Sequence, residues 1–179
     1  MGDDNRLSKV LRDIYRRDSL ERPLSRETVN LADADGRTPL MHAILAEDAD
    51  PSIVQKLILS GAEVDAVDHE QNWTALHFAA RDQNNAITKM LIENGANVDA
   101  INVRGETPLW LSVMYSTSNV ETVKSLVSAG ADVHRKDSRG IAPVDLARDR
   151  GREDLTTILT QHSNIGATPP DARGDDGTL

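Results

Sequence analysis

The 179 residues contain no cysteine and only five aromatic side chains: two Trp, two Tyr and one Phe. Without thiols, a disulfide framework, a thiolate zinc site and a cysteine nucleophile are all excluded. Long apolar runs are missing too: none exceeds about five residues, where a membrane helix needs roughly 18. Met1 is followed by Gly2, Asp3, Asp4, Asn5 and Arg6, which fits neither a secretion signal nor a transit peptide. Arg6 also stands where a myristoylation motif wants Ser or Thr. The expectation is a soluble, cytoplasmic protein with no membrane contact, long enough to bury most of its apolar surface in one domain.

Charge is unevenly spread. Lys and Arg number 20 against 29 Asp and Glu, a net −9. Residues 1–30 sum to +1, residues 31–165 to −8 and residues 166–179 to −2. An acidic body repels phosphate backbones, so no nucleic-acid partner is expected. The same field would steer a basic protein inward.

Two landmarks repeat in phase. Thr38-Pro39-Leu40 returns as Thr74-Ala75-Leu76, Thr107-Pro108-Leu109 and Ala142-Pro143-Val144, at spacings of 36, 33 and 35. Gly61-Ala62-Glu63-Val64-Asp65 returns as Gly95-Ala96-Asn97-Val98-Asp99 and Gly130-Ala131-Asp132-Val133-His134, at spacings of 34 and 35. Val29-Asn30 fits one period earlier, as the tail of a shortened unit. Each unit reads as two helices. Thr38, Thr74 and Thr107 suit helix N-caps, and Pro39 and Pro108 suit the first turn. Apolar residues then recur at helical spacing, as in Ile87, Met90 and Leu91, and Gly61, Gly95 and Gly130 suit left-handed C-caps. Asp35-Gly36, Gln71-Asn72, Arg104-Gly105 and Arg139-Gly140 mark turns between units.

With a period near 33 residues and the signature read as Thr74-Ala75-Leu76-His77-Phe78-Ala79, the chain resembles the ankyrin-repeat family over residues 5–162. The resemblance implies an all-α solenoid of helix-turn-helix units with β-turn fingers. The division expected is an N-terminal capping helix and half-repeat at 1–30, then repeats at 31–65, 66–99 and 100–134. A C-terminal capping repeat at 135–162 and a disordered tail at 163–179 complete it. The second finger is one residue longer than its counterparts, with Asn72 where Gly is usual, and should bulge. Two extra residues separate the helices of repeats one and three, around Glu47–Pro51 and Met114–Asn119.

No catalytic motif is present, and no enzyme activity, cofactor or metal is expected. The five histidines lie in different units, without metal-ligand spacing. His77 reads as the structural histidine of its repeat, and His42 and His69 as surface residues. Asp65, Asp99 and Asp145 read as turn or cap residues, and Trp110, in the signature His position, as half-buried packing. Arg173-Gly174-Asp175 is a chance match to an integrin-binding tripeptide.

Function therefore has to reside on a surface. The resemblance implies a concave recognition face made of fingers and inner helices. Its variable positions fall, in the fingers, on Asp35, Arg37, Glu70, Gln71, Trp73, Arg104, Glu106, Arg139 and Ile141. In the inner helices they fall on Arg81, Asp82, Met114, Tyr115, Asp149 and Arg150. Trp73 and Tyr115 stand out. Each is open to two readings: Trp73 anchors a partner or folds onto its own finger, and Tyr115 anchors a partner or closes the loop after it. The expected function is non-enzymatic binding of a basic protein by a chain that is monomeric when free, in concrete form an inhibitor or a toxin-neutralising immunity protein. A scaffold or adaptor is the alternative, and an enzyme or regulatory subunit with a groove site around His77, Arg81 and Asp82 is the alternative of another class.

Overall fold

The computed structural model describes residues 2–16 and 24–163, so the expected tail at 163–179, with Arg173-Gly174-Asp175, lies outside the described residues except for Ser163, the last residue of the final helix. The helices in chain order are α1 (Gly2–Arg16), α2 (Arg26–Val29), α3 (Pro39–Leu45), α4 (Pro51–Leu59), α5 (Ala75–Arg81), α6 (Asn85–Glu93), α7 (Pro108–Tyr115), α8 (Glu121–Ser128), α9 (Pro143–Asp149) and α10 (Glu153–Ser163). Among the described residues there is no strand. The odd-numbered helices from α3 to α9 stack in one layer, and α4, α6, α8 and α10 in a second. Helix α1 continues the first layer by packing on α3. The result is an all-α solenoid with its core between the layers, filled by residues such as Leu40, Leu76, Leu91, Leu109 and Leu126, each 0% exposed.

Local chemistry sets the ends of each unit. The hydroxyls of Thr38, Thr74 and Thr107 accept the amides of Met41, His77 and Trp110, meeting one otherwise unpaired donor at each helix start. At the other end of α4, α6 and α8 the chain turns left-handed at Gly61, Gly95 and Gly130, with φ of 89°, 85° and 90°. The amides of Ala62, Ala96 and Ala131 then reach back to Leu57, Leu91 and Leu126, a Schellman closure. The longer connections of repeats one and three are residues 46–50 and 116–120, against 82–84 and 150–152 elsewhere. Where the connection is short, the residue after the C-cap is left-handed: Gly151 in repeat four and Gln83, with φ of 57°, in repeat two. Gln83 offsets that strain by donating from Nε2 to the carbonyls of Ala80 and Ser112, each at 2.9 Å.

The fingers are short irregular loops whose amides need acceptors. One side-chain oxygen serves each, buried in all but the first finger, where Asp33 is partly exposed. Oδ1 of Asp33 accepts from Asp35 and Arg37, that of Asp68 from Gln71 and Trp73, that of Asn102 from Arg104 and Glu106, and that of Asp137 from Arg139 and Ile141. The added residue of the second finger shows directly: Asp68 bonds to the carbonyl of Trp73, five residues on, where Asp33, Asn102 and Asp137 bond four residues on. Asn72 takes the left-handed corner with φ of 53°, a conformation Asn tolerates better than most side chains.

Neighbouring units are stitched twice. Backbone amides of His69, Val103 and Ser138 donate to the carbonyls of Asp35, Gln71 and Arg104 in the preceding finger. Beyond the outer helices, Asn30, Asp65 and Asp99 accept the amides of Glu63, Asn97 and Asp132 in the next unit at 2.8–2.9 Å. Asp65 and Asp99 are therefore cross-repeat clamps rather than the turn or cap residues expected from sequence. Asp145 does serve its own helix start, accepting the Ala142 amide at 3.4 Å.

His42 differs from expectation as well. Its side chain is 11% exposed, with Nε2 donating to Asp33 Oδ2 and Nδ1 accepting from the Tyr15 hydroxyl, both at 2.8 Å. A histidine expected on the surface instead ties α1 to the first finger, because Tyr15 lies over it with ring centroids 5.9 Å apart.

Finger packing predicts unequal costs at two equivalent glycines. Gly105 and Gly140 share φ values of 71° and 80°, but a Cβ on Gly105 would meet the backbone of Ser138 at 3.2 Å, whereas one on Gly140 meets nothing. Both alanine variants carry the left-handed penalty of about 1–2 kcal/mol. Gly105→Ala should lose further stability because the next finger must shift, and its urea midpoint should fall below that of Gly140→Ala. Equal midpoints would disprove the close finger contact.

Candidate functional site

The expected recognition positions separate into two neighbouring rows. The first follows the C-terminal ends of the inner helices. Arg81 grips Asp82 with two hydrogen bonds at 2.6 and 2.9 Å. Arg150 reaches from α9 to α7, donating to the Met114 carbonyl at 3.0 Å and contacting its sulfur at 2.8 Å. Tyr115 is 50% exposed, and its side chain makes no hydrogen bond among the described residues. Asp149 is exposed beside Arg150.

Along the fingers runs the second row. Arg37 bridges Asp35 and Glu70, each at 3.6 Å, linking fingers one and two. Arg139 pairs with the buried Asp137 at 2.8 Å and lies over the Trp110 ring, 5.2 Å from its centroid. Trp110 is 3% exposed, so it is fully rather than half buried. Gln71 and Ile141 are half-buried, and Arg104 is exposed. Glu106 does not belong to the surface. It is 5% exposed, and its carboxylate accepts from Asn102 Nδ2 at 2.9 Å, with Arg139 at 3.9 Å. The repeat position is a surface one, but here the acid folds inward onto the Asn that supports its own finger.

Trp73 joins the rows. Its ring stands 5.0 Å from Phe78 and 6.1 Å from His77, with the Arg81 guanidinium 5.3 Å from its centroid. The side chain is half-buried against the core. It thus packs on its own finger and helix while keeping one side open.

His77 is wholly buried, and both ring nitrogens are occupied. Nδ1 accepts from the Thr74 amide at 3.1 Å, which leaves Nε2 as the donor to the Glu106 carbonyl at 3.2 Å. Neither nitrogen is left for a substrate, so a groove site around His77, Arg81 and Asp82 could not use His77 as its base. Among the described residues no cluster of three or more His, Asp or Glu could hold a metal ion. Two surface depressions, one between α1, α3 and α4 and one between α6 and α8, are lined by none of the expected recognition residues.

Sequence reading missed the residues on either side of the buried finger acceptors. Val67, Ile101 and Val103 are 45%, 48% and 54% exposed. The signal was available: Val67 and Ile101 each directly precede the acceptor of their finger, and Val103 directly follows Asn102. The fifteen expected recognition residues hold five acids and five bases, so the net acidity of the chain lies off this face.

Burial holds the His77 imidazole pKa down, to about 4, against the weaker upward pull of the Glu106 carbonyl. The unfolded chain takes up this proton near pH 6.5 and the folded chain does not. The stability from neutral His77 is therefore full above about pH 6.5 and is lost as pH falls toward 4. The shift corresponds to about 3 kcal/mol. Asp33 and Asp137 act lower: burial raises their pKa values, but the amides of Arg37 and Ile141 and the neighbouring His42 and Arg139 lower them further. In urea melts from pH 7 to 4, His77→Gln should show a clearly shallower loss than the parent chain. Parallel loss would place the titration elsewhere.

The family profile described as "Ankyrin repeats (3 copies)" matches residues 44–137. An ankyrin repeat protein of fowlpox virus (strain NVSL) is 30% identical over 132 residues, covering 72% of this chain and 38% of its own length. Inversin of Homo sapiens is 31% identical over 143 residues, 79% of this chain but 13% of inversin. Protein phosphatase 1 regulatory subunit 27 of Homo sapiens is 40% identical over 63 residues, 35% of this chain and 38% of that protein. The chain thus spans well under half the length of each of these relatives. With the profile over its central repeats and the same helix pairs in the structure, the chain belongs to the ankyrin-repeat family.

Proposed function

We propose that this ankyrin-repeat chain binds one protein partner through the face formed by its inner helices and fingers, and inhibits it by occupying it. Protein–protein interaction is the business of the family. The inhibitory role, including that of an immunity protein that neutralises a toxin, is the finer reading. It draws support from the compact array and from similarity to a phosphatase regulatory subunit. One observation carries the choice of face: Tyr115, an aromatic half in solvent with no side-chain hydrogen bond among the described residues, stands at the end of α7 between the Arg81–Asp82 pair and Arg150. Aromatics in such settings are favoured anchors, surrounded by weaker polar contacts.

The proposed partner is basic, because a net charge of −9 accelerates the approach of a cation-rich protein. The setting is cytoplasmic and the free chain monomeric. No described helix is long and apolar enough to cross a membrane. A scaffold would bind two proteins at once, which distinguishes it from a one-to-one inhibitor.

A partner recovered from native lysate and then purified supplies the test. Tyr115→Ala should leave the urea midpoint unchanged and weaken the complex at least tenfold, about 1.4 kcal/mol. Trp73→Ala should weaken the complex too, but it should also lower the midpoint because Phe78 and Arg81 lose a packing neighbour. Raising salt should slow association more than it speeds dissociation. Unchanged binding by Tyr115→Ala would remove this face as the site. A ternary complex with a second protein would favour the scaffold.

A further inference from the structure

The finger acceptors Asp68, Asn102 and Asp137 are buried and Asp33 is partly so, while the residues on either side of each face solvent. From the first finger to the fourth these flanking pairs are Ala32/Ala34, Val67/His69, Ile101/Val103 and Lys136/Ser138, and all eight residues are exposed. The backbone bonds from His69 to Asp35, Val103 to Gln71 and Ser138 to Arg104 hold the fingers side by side. The pairs therefore form one continuous strip. Six large apolar side chains are substantially exposed among the described residues, and Val67, Ile101 and Val103 put half of them on the two central fingers.

Charge is graded along the strip. At the first two fingers, Asp35 and Glu70 are both bridged by Arg37. At the last two, Arg104, Arg135 and Lys136 are exposed and take part in none of the described ion pairs. The nearby acids are engaged: Asp137 and Glu106 are buried on Arg139 and Asn102, and Asp132 accepts the His134 amide. A chain of net −9 thus carries a local cationic edge directly beside its apolar fingers.

We infer that the finger strip docks an extended segment of a partner protein whose apolar residues cover Val67, Ile101 and Val103 and whose adjoining acidic residues lie over Arg104, Arg135 and Lys136. The inference rests on the protein-binding reading but not on Tyr115 or on the overall charge of the partner. Net charge governs long-range approach, whereas local charge orients the docked segment. Inner helices pack about 8–10 Å apart, so successive fingers step by a similar distance. An extended chain advances about 3.3 Å per residue. The acidic residues therefore follow the apolar ones by about three positions, in either chain direction. A nucleic acid would meet the cationic edge but find no aromatic stacking platform in the strip.

Random linear twelve-residue peptides displayed on phage are selected against the intact chain, and the selected peptides are measured by fluorescence anisotropy. The expected peptides carry two or more apolar residues with Asp or Glu about three positions away. Arg104→Glu with Lys136→Glu should weaken them at least tenfold, Val103→Ser at least threefold and Tyr115→Ala less than twofold. Selection of Lys- or Arg-bearing peptides, insensitivity to the double reversal, or failure to select any specific peptide would overturn the inference. Peptides that respond to Tyr115→Ala alone would leave the inner-helix reading standing and the strip reading refuted. The converse supports the strip, and the inner-helix site is then decided by the Tyr115→Ala measurement on the purified partner. Three competing occupants overturn it through their own signatures, each abolished by Lys136→Glu: binding of an oligo-dT strand, dimerisation that rises with concentration, or binding of a free peptide of residues 164–179.

Discussion

A finger loop forms no regular ladder of its own, so the array depends on one side-chain oxygen meeting two amides in each finger. Asp33, Asp68, Asn102 and Asp137 supply it. Leaving such amides unmet away from water would cost on the order of 1–3 kcal/mol each, more than a short loop can recover from its few apolar contacts. With the acceptor in place, the backbone turns sharply, presents the next Thr or Ala as a helix N-cap and lies against the preceding finger. Asn102 shows that the requirement is for an oxygen acceptor and not for charge.

This requirement alters the meaning of the acidity. Asp33, Asp68 and Asp137 serve their fingers, Asp65 and Asp99 clamp the following units, and Asp50 meets the Ser52 amide at the start of α4. Much of the negative charge is thus an architectural residue of repetition, since every added unit brings its own acceptors. Net charge retains its effect on approach. It is a poor guide to the docking face, where acids and bases balance.

The landmarks that made the fold legible are those whose side chains act within their own unit. Thr38, Thr74 and Thr107 cap, the glycines after the outer helices turn left-handed, and the apolar stripes fill the core. The longer second finger could be read because its extra residue breaks the period. Roles that depend on the next unit could not be read in this way. Asp65 and Asp99 resemble turn residues until Asn97 and Asp132 are brought beside them. His42 resembles a surface residue until α1 returns Tyr15 to it. Glu106 stands at a variable position, and only the placement of Asn102 and Arg139 reveals that it turns inward.

What remains variable after these demands are met is where function can differ from other arrays. Capping, turning, stitching and filling use up the repeated positions, and substitutions there are answered by local compensation. Gln83 bonds two carbonyls where Gly151 needs none, and Trp110 fills the place of a hydrogen-bonding histidine and carries Arg139 on its face. Tyr115, Val67, Ile101 and Val103 have no such answer among the described residues. Each leaves apolar surface in water that neither helix stacking nor the finger contacts require. They lie on two adjacent rows, joined at Trp73, and a partner covering both would bury four of the six large apolar side chains exposed among the described residues without disturbing any acceptor on which the fold depends.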